Sequence, residues 1–336
     1  MSNVSLLDCT LRDGGYVNNW LFTPEKIRST VTNLTDAGIN YVEMGYLTSI
    51  TSAVGGTQFG GIKEMAEFLP EHRKSSIYMA MADCSLYDIE ELEYRSNQTI
   101  DCIRVVFYKR QIEQAFRFCK GVVSKGYGLI IQPMVTVDYS VEEFESLIRK
   151  FSAEYPLYSV AVVDSFGCMD RKQVKQYVNV LDSLLQKDIR IGFHGHNNMN
   201  MAMQNALAFI EAADDREIII DGTVNGIGRG AGNLCTEVMA DYCNMNMGAD
   251  YALDSIINVM SDVTDPISRE KQWGYTPFYM LTARHKAHPN FANFVKEKHD
   301  VSVKEFSEIL EMIPKDMLTR CTKPFVEELY QKYMER

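Results

Sequence analysis

No CxxC pair occurs anywhere in the 336-residue sequence, whose eight cysteines (Cys9, Cys84, Cys102, Cys119, Cys168, Cys235, Cys243 and Cys321) never come closer than eight residues apart. A disulfide framework is therefore not expected, and thiols inside apolar runs such as DCIRVVF read as buried and reduced. No window approaches the ~18 uninterrupted apolar residues that a membrane span needs. Met1 is not followed by a basic segment and an apolar stretch, so no signal peptide is expected and the reading is cytoplasmic. A positive excess is missing as well. Lys and Arg number 34 against 45 Asp and Glu, a net charge of −11, which argues against nucleic acid or anionic membranes as partners. The basic residues between Arg269 and Lys298 form a local exception. They read as a solvated helix face, with an anion-facing patch as the alternative.

What is present is enough apolar material, 46% of the chain, to bury a large core. Short apolar runs recur at VSLLD (4–8), NYVEMGY (40–46), SIYMAMA (76–82), DCIRVVFY (101–108), YGLIIQPMV (127–135), YSVAVVDS (158–165), RIGFHG (190–195) and EIIIDGTV (217–224). Segments with helical spacing follow them, for example 24–38, 112–126, 141–155 and 201–213. Pro24 stands where a first helical turn would begin, and Gly38 and Gly126 where helices would stop. In the third unit the helix must come from LYDIEELEYRSN (86–97). Eight β–α units in about 250 residues predict an α/β fold, a (β/α)8 barrel. After about Tyr251 the strand signal stops and only helical patterns remain. The expected organisation is a catalytic barrel over 1–250 and a helical appendage over 251–336 packed on it.

Chemistry in such a barrel collects at the C-terminal ends of the strands. There the sequence places Asp8 to Asp13, Glu43, Asp164 and Ser165, the segment FHGHNN, and the loop NGIGRGAGN (225–233). His194 and His196 are two apart on an extended segment, so their imidazoles share one side. Two imidazoles and one carboxylate make a metal site with open positions. In a closed ring only the eighth strand separates the first from the seventh, so Asp13 can approach the pair. Asn233, from the loop after that intervening strand, can add a carbonyl oxygen. The bland alternative is a pair of histidines capping a strand. The loop 225–233 loosely matches a dinucleotide fingerprint, yet no strand with an acid follows it, so a backbone-rich loop over the site reads better. Arg12 is either a surface ion pair or a donor fork for a carboxylate or a developing enolate oxygen.

TLRDG, HGHNN and DGTVNGIGRGAGNLCTE, in that order and with barrel spacing over residues 4–248, resemble the DRE-TIM metallolyase superfamily. The chain looks most like its 4-hydroxy-2-oxovalerate aldolase branch, since Gly15 and Tyr16 stand where acyl-CoA condensing synthases carry an acid and a glutamine. The resemblance implies a divalent metal on Asp13, His194 and His196, with Mn2+ expected first and Mg2+, Co2+ or Zn2+ as alternatives. Asn233 matches a further metal ligand of the lyase branch. It also implies that Arg12 stabilises an enolate, that Ser165 lies near the substrate carboxylate, and that Tyr275 and Tyr279 of GYTPFY match two tyrosines of the aldolases. The expected substrates are a small 2-oxo acid and an aldehyde. An aldehyde dehydrogenase partner is allowed by the resemblance, and a homo-oligomer is left open.

Two departures stand out. Tyr16 occupies the place of the histidine that serves the aldolases as general base, and Arg229 replaces a small residue in the eighth loop, which suggests a more anionic substrate. A tyrosine with its ordinary pKa near ~10 is a weak base at neutral pH. His285, His288 or a hydroxide on the metal are the other candidates. The rival readings are an acyl-CoA lyase or Claisen-condensing synthase on the same metal site, a Schiff-base aldolase using Lys109, and a non-catalytic barrel that has kept the site.

Overall fold

The structure is a computed structural model, and it describes residues 3–49, 56–213 and 215–336. Eight parallel strands, β1 (Val4–Asp8), β2 (Tyr41–Leu47), β3 (Ile77–Asp83), β4 (Cys102–Phe107), β5 (Gly128–Pro133), β6 (Leu157–Asp164), β7 (Arg190–Gly195) and β8 (Ile218–Gly222), each pair with the next. The ring closes where β1 pairs with both β8, from Val4 opposite Ile218 to Asp8 opposite Gly222, and β2. This is the (β/α)8 barrel expected from the sequence, and these eight strands lie where the apolar runs place them; a two-residue strand outside those runs, Gln58–Phe59, pairs in parallel with the end of β2.

Strand periodicity sorts the side chains. Residues facing outward, such as Leu6, Val42, Ile103, Leu129 and Ile220, pack against the surrounding helices in one continuous core. Those facing inward stack through the barrel. Leu7, Tyr41, Met79, Cys102, Ile130 and Ile219 form an apolar interior cluster, and Tyr46, Met81 and Val106 form another. Two residues along from Tyr41, Cys102 and Ile219 come Glu43, Arg104 and Asp221. The period of two therefore places these three charges inside the ring as well.

Helix ends follow local chemistry. Thr23 accepts from the Lys26 N–H ahead of Pro24, and Ser140 with Glu143 and Asp170 with Gln173 form capping boxes. Gly38 and Gly126 take positive φ, 79° and 88°, just past the ends of Pro24–Asp36 and Ile112–Ser124. The third unit corrects the sequence expectation. After β3 there is no α-helix over 86–97, only a single 3-10 turn at Ile89–Glu91. Asp88, Glu90, Glu91 and Glu93 crowd like charges at helical spacing, which opposes propagation. Lys125 instead donates to the carbonyls of Ile89 and Glu90 at 2.7 and 3.1 Å and to that of Leu92.

Beyond β8, the helices Thr236–Met247 and Leu253–Val259 continue the outer layer, and Tyr251, Ile256, Val259, Val263 and Ile267 share its core. The helices Pro277–Arg284, Asn290–Lys298, Val303–Glu311 and Lys323–Met334 build a second apolar cluster around Leu281, Phe291, Phe306, Leu310 and Leu329. No described helix is long and apolar enough to cross a membrane.

A Cβ on Gly121 would lie 2.1 Å from Ile89 Cγ1. Helix propensity alone favours Gly121→Ala by about 1 kcal/mol. The contact decides the other way: we expect Gly121→Ala to lower the unfolding free energy by about 1–3 kcal/mol in urea titration.

Candidate metal centre

After β1 the chain coils into a short helical turn, Thr10–Asp13, over the barrel mouth. Asp8 holds that turn in place. Its carboxylate accepts from the Thr10 N–H at 2.9 Å and from the Thr236 hydroxyl at 2.6 Å, while the Thr10 hydroxyl accepts from Val224 N–H at 2.8 Å. The turn delivers Arg12 and Asp13, both buried, to the axis side of the ring. At the end of β7, His194 and His196 point to the same place. Asp13 Oδ2 lies 4.0 Å from His194 Nε2 and 3.9 Å from His196 Nε2. Two ligands about 2.1 Å from one ion can be at most about 4.2 Å apart, so Asp13 can share an ion with either imidazole, and the ligand atoms of all three side chains lie within 4.8 Å of one another.

Asn233 joins them from the loop after β8. Its Nδ2 donates to Asp13 Oδ2 and to the Ile227 carbonyl at 3.1 Å, and its Oδ1 is buried with no partner among the described residues. That approach requires Gly228, because a Cβ there would meet Asn233 Nδ2 at 2.2 Å and Asp13 Oδ2 at 2.9 Å. Closely packed carboxylate, imidazole and amide groups, one with an orphaned oxygen, fit a divalent metal ion.

Electrostatics suit the same role. Burial alone would raise the Asp13 carboxyl, but Arg12, His196 and His194 hold it well below the usual carboxylate range. Burial pushes the His196 imidazolium down to about 3, so the ring is neutral and its lone pair available. His194 Nδ1 lies 3.0 Å from Asp221 Oδ2, an arrangement that keeps the ring proton on Nδ1 and turns Nε2 toward Asp13. Asp221 in turn pairs with Arg104 Nη2, and Arg104 Nη1 lies 3.0 Å from Glu43 Oε1. Glu43 Oε2 accepts from Arg12 Nε at 2.8 Å, and Arg12 Nη1 donates to Asp13 Oδ1 at 2.6 Å. The third nitrogen of Arg12, Nη2, is buried and has no hydrogen-bond partner among the described residues.

The remaining candidates are dispersed. Ser165 is buried and its Oγ accepts from the Val135 N–H at 2.9 Å, leaving the hydroxyl proton free to donate; Val135 is held at φ 53°, a costly value for a β-branched residue. The Tyr16 ring lies under the Arg229 guanidinium at 4.7 Å, and burial pushes its phenol above the ordinary value despite Arg229 and Arg12. Tyr279 donates to Asn293 at 2.6 Å and Tyr275 is 51% exposed; no hydrogen bond among the described residues joins either to the metal-site cluster. His285 is half-buried, with Glu311 and Arg284 as its charged neighbours, whereas His288 reaches the site and lies 3.3 Å from Arg229. Lys109 is engaged with Glu143 at 2.6 Å. Three contributors were not singled out from sequence: Arg104, Asp221 and Asn198. Asn198 donates to the Phe166 carbonyl and accepts from Ala231 N–H, tying the sixth and eighth loops together. A lone charge inside DCIRVVF or IIID was the available signal, since a buried strand must pair it.

Residues 3–263 match the HMGL-like family model. The chain belongs to the HMGL-like family. A 4-hydroxy-2-oxovalerate aldolase of Bacillus cereus is 29% identical over 285 residues, 81% of this chain and 80% of that protein. An oxaloacetate decarboxylase of Mycobacterium tuberculosis is 30% identical, covering 70% of this chain and 68% of its own. Among solved structures, the N-terminal domain of a presumptive aldolase from Bacteroides vulgatus superposes with a TM-score of 0.74 at 24% identity, covering 88% of this chain and 97% of that one. As an HMGL-like protein with such relatives, the chain is an enzyme of the carbon–carbon lyase kind.

Two outcomes follow from the supporting side chains. Asp221→Asn removes the carboxylate behind His194 and is expected to weaken Mn2+ binding by about 10–100-fold in a direct titration. Burial raises the Asp8 carboxyl to about 6, against hydrogen bonds from Thr236 and Thr10. The fold thus favours its protonated form, a stabilisation complete below about pH 4 and lost as pH rises through about 6. Between pH ~4 and ~7, wild type should lose about 3 kcal/mol relative to Asp8→Asn in metal-free denaturant titrations.

Proposed function

We propose that this HMGL-like enzyme is a divalent-metal-dependent aldolase that makes or breaks a carbon–carbon bond between a pyruvate-type enolate and an aldehyde. The observation that carries the reading is the convergence of Asp13, His194 and His196 beside the unpartnered Nη2 of Arg12. Asp13, His194, His196 and the Asn233 oxygen would hold the ion, with Mn2+ as the first choice. When bound, the ion supplies Lewis acidity to a 2-oxo acid that chelates through its carbonyl and carboxylate oxygens.

The chain's own groups do the rest. In cleavage, the 4-hydroxyl gives up its proton as the C3–C4 electron pair moves into the 2-oxo group, and the proton later gained at C3 balances the one lost from the hydroxyl. An aldehyde leaves, and the enolate is protonated at C3. Arg12 Nη2 supports the oxygen on which negative charge develops, where a preorganised donor counts most. The Ser165 hydroxyl proton is available to the substrate carboxylate. Tyr16, with its phenol pushed upward, is protonated at neutral pH and suits donation of a hydrogen bond rather than removal of a proton. The cytoplasm is the location that goes with this reading. The names of the two relatives support it: cleaving a 4-hydroxy-2-oxo acid and decarboxylating oxaloacetate both release an enolate of pyruvate.

The test is deuterium uptake at C3 of pyruvate, which needs no aldehyde. Exchange is expected with added Mn2+, abolished by chelator, and lowered by about 10²–10³ in Arg12→Gln. Exchange that survives exhaustive metal removal, or trapping of pyruvate on the protein by borohydride, would overturn the metal mechanism.

A further inference from the structure

At the rim of the site, two hydrogen-bond donors face each other with no acceptor between them. His288 Nδ1 accepts from the Asn290 N–H at 3.1 Å, so the proton of the neutral ring sits on Nε2. Nε2 faces Arg229 Nη1 at 3.3 Å, and a guanidinium can only donate. Burial, with Arg229 and His196 adding to it, keeps His288 far from being protonated. The opposite tautomer offers no relief, because it sets Nδ1–H against the Asn290 N–H.

Arg229 is the other half of the mismatch. Its Nε is buried and unpartnered, and among the described residues no carboxylate pairs with it. The guanidinium is held by the Tyr16 face at 4.7 Å, an interaction that leaves its in-plane donors unused. His288 is equally fixed: its backbone N–H donates to the Leu318 carbonyl at 2.9 Å, and its ring lies 5.7 Å from Phe166, next in sequence to Ser165. An oxygen carrying negative charge would accept from both donors at once and offset the unpaired cation. Arg12 does not duplicate this, because Glu43 and Asp13 already occupy two of its nitrogens.

We propose that Arg229 and His288 form a second anion subsite, one that receives a carboxylate or phosphate group carried on the aldehyde half of the substrate. This rests on the aldolase reading, in which Arg12 and Ser165 serve the 2-oxo acid half. The subsite joins the loop after β8 to the C-terminal helical segment, so that segment takes part in choosing the substrate.

The experiment is condensation of pyruvate with acetaldehyde, glyoxylate and glycolaldehyde phosphate by the Mn2+-loaded full-length enzyme, comparing kcat/KM. We expect at least a tenfold preference for one charged aldehyde over acetaldehyde, and which one identifies the anion as carboxylate or phosphate. Arg229→Gln and His288→Leu should each reduce that ratio at least tenfold. A ratio taken within one preparation does not depend on the fraction folded. Pyruvate exchange in the wild type reads the underlying chemistry separately. Exchange with a flat aldehyde profile, or an Arg229→Gln variant that slows all three aldehydes equally, overturns the subsite alone. Absence of metal-dependent exchange overturns the aldolase reading and the subsite with it.

Discussion

A single buried chain of charges runs across the barrel from one side of the site to the other. Asp13 pairs with Arg12, Arg12 with Glu43, Glu43 with Arg104, Arg104 with Asp221, and Asp221 with the ring of His194. Each group would be costly alone in a ring otherwise filled with side chains such as Leu7, Met79 and Ile130. Together they offset one another's charge, though Arg12 Nη2, Glu43 Oε1 and Arg104 Nη1 make no hydrogen bond among the described residues. Among the carboxylates and guanidiniums of this chain, three oppose two, an excess of one negative charge beside three facing ligand atoms. A bound cation would offset that excess. The same chain sets the orientation of both ends, so the candidate ligands Asp13 and His194 depend on residues outside the cluster, Glu43, Arg104 and Asp221.

This arrangement separates the work of the two ends of the molecule. The barrel supplies the ligand set and the donor Arg12 on rigid elements, with Asp8 and Thr10 anchoring the turn that carries them. The eighth loop and the C-terminal helices bring Arg229 and His288 to the rim. In the proposed reaction the enolate chemistry then lies deep, and the features that depart from the aldolase pattern lie at the rim. Tyr16 belongs to both layers, since its ring supports Arg229 while its backbone lies in Gly15–Asn18, the short helix that follows the Asp13 turn. Its replacement of a histidine and the presence of Arg229 thus read as one change, a cation stacked on an aromatic face.

Much of this was legible from the chain alone. Strand positions followed from apolar runs because both faces of a barrel strand are buried, so the signal is continuous. The pairing of His194 with His196 followed from a period of two, and the approach of Asp13 from ring closure. The helix expected after the third strand did not form. Its acidic spacing and the reach of Lys125 to three carbonyls both oppose it, and the second is a tertiary contact. Arg104 and Asp221 stood in plain view within apolar runs, yet their partners lie 117 positions apart in sequence and only the closed ring joins them.

The residue order by itself determined the barrel, the family and the convergence of Asp13, His194 and His196, because these rest on local periodicity and on motifs whose spacing a β–α repeat enforces. Tertiary structure alone decided how that cluster is held and what surrounds it. It brought His288 rather than His285 to the site, set Tyr279 against Asn293, and placed Arg229 where no carboxylate of the described residues pairs with it. The physical reason is range. Strand and helix patterns are written in neighbouring residues, whereas the partner of a buried charge is settled by whichever distant segment the packing brings within a few ångströms.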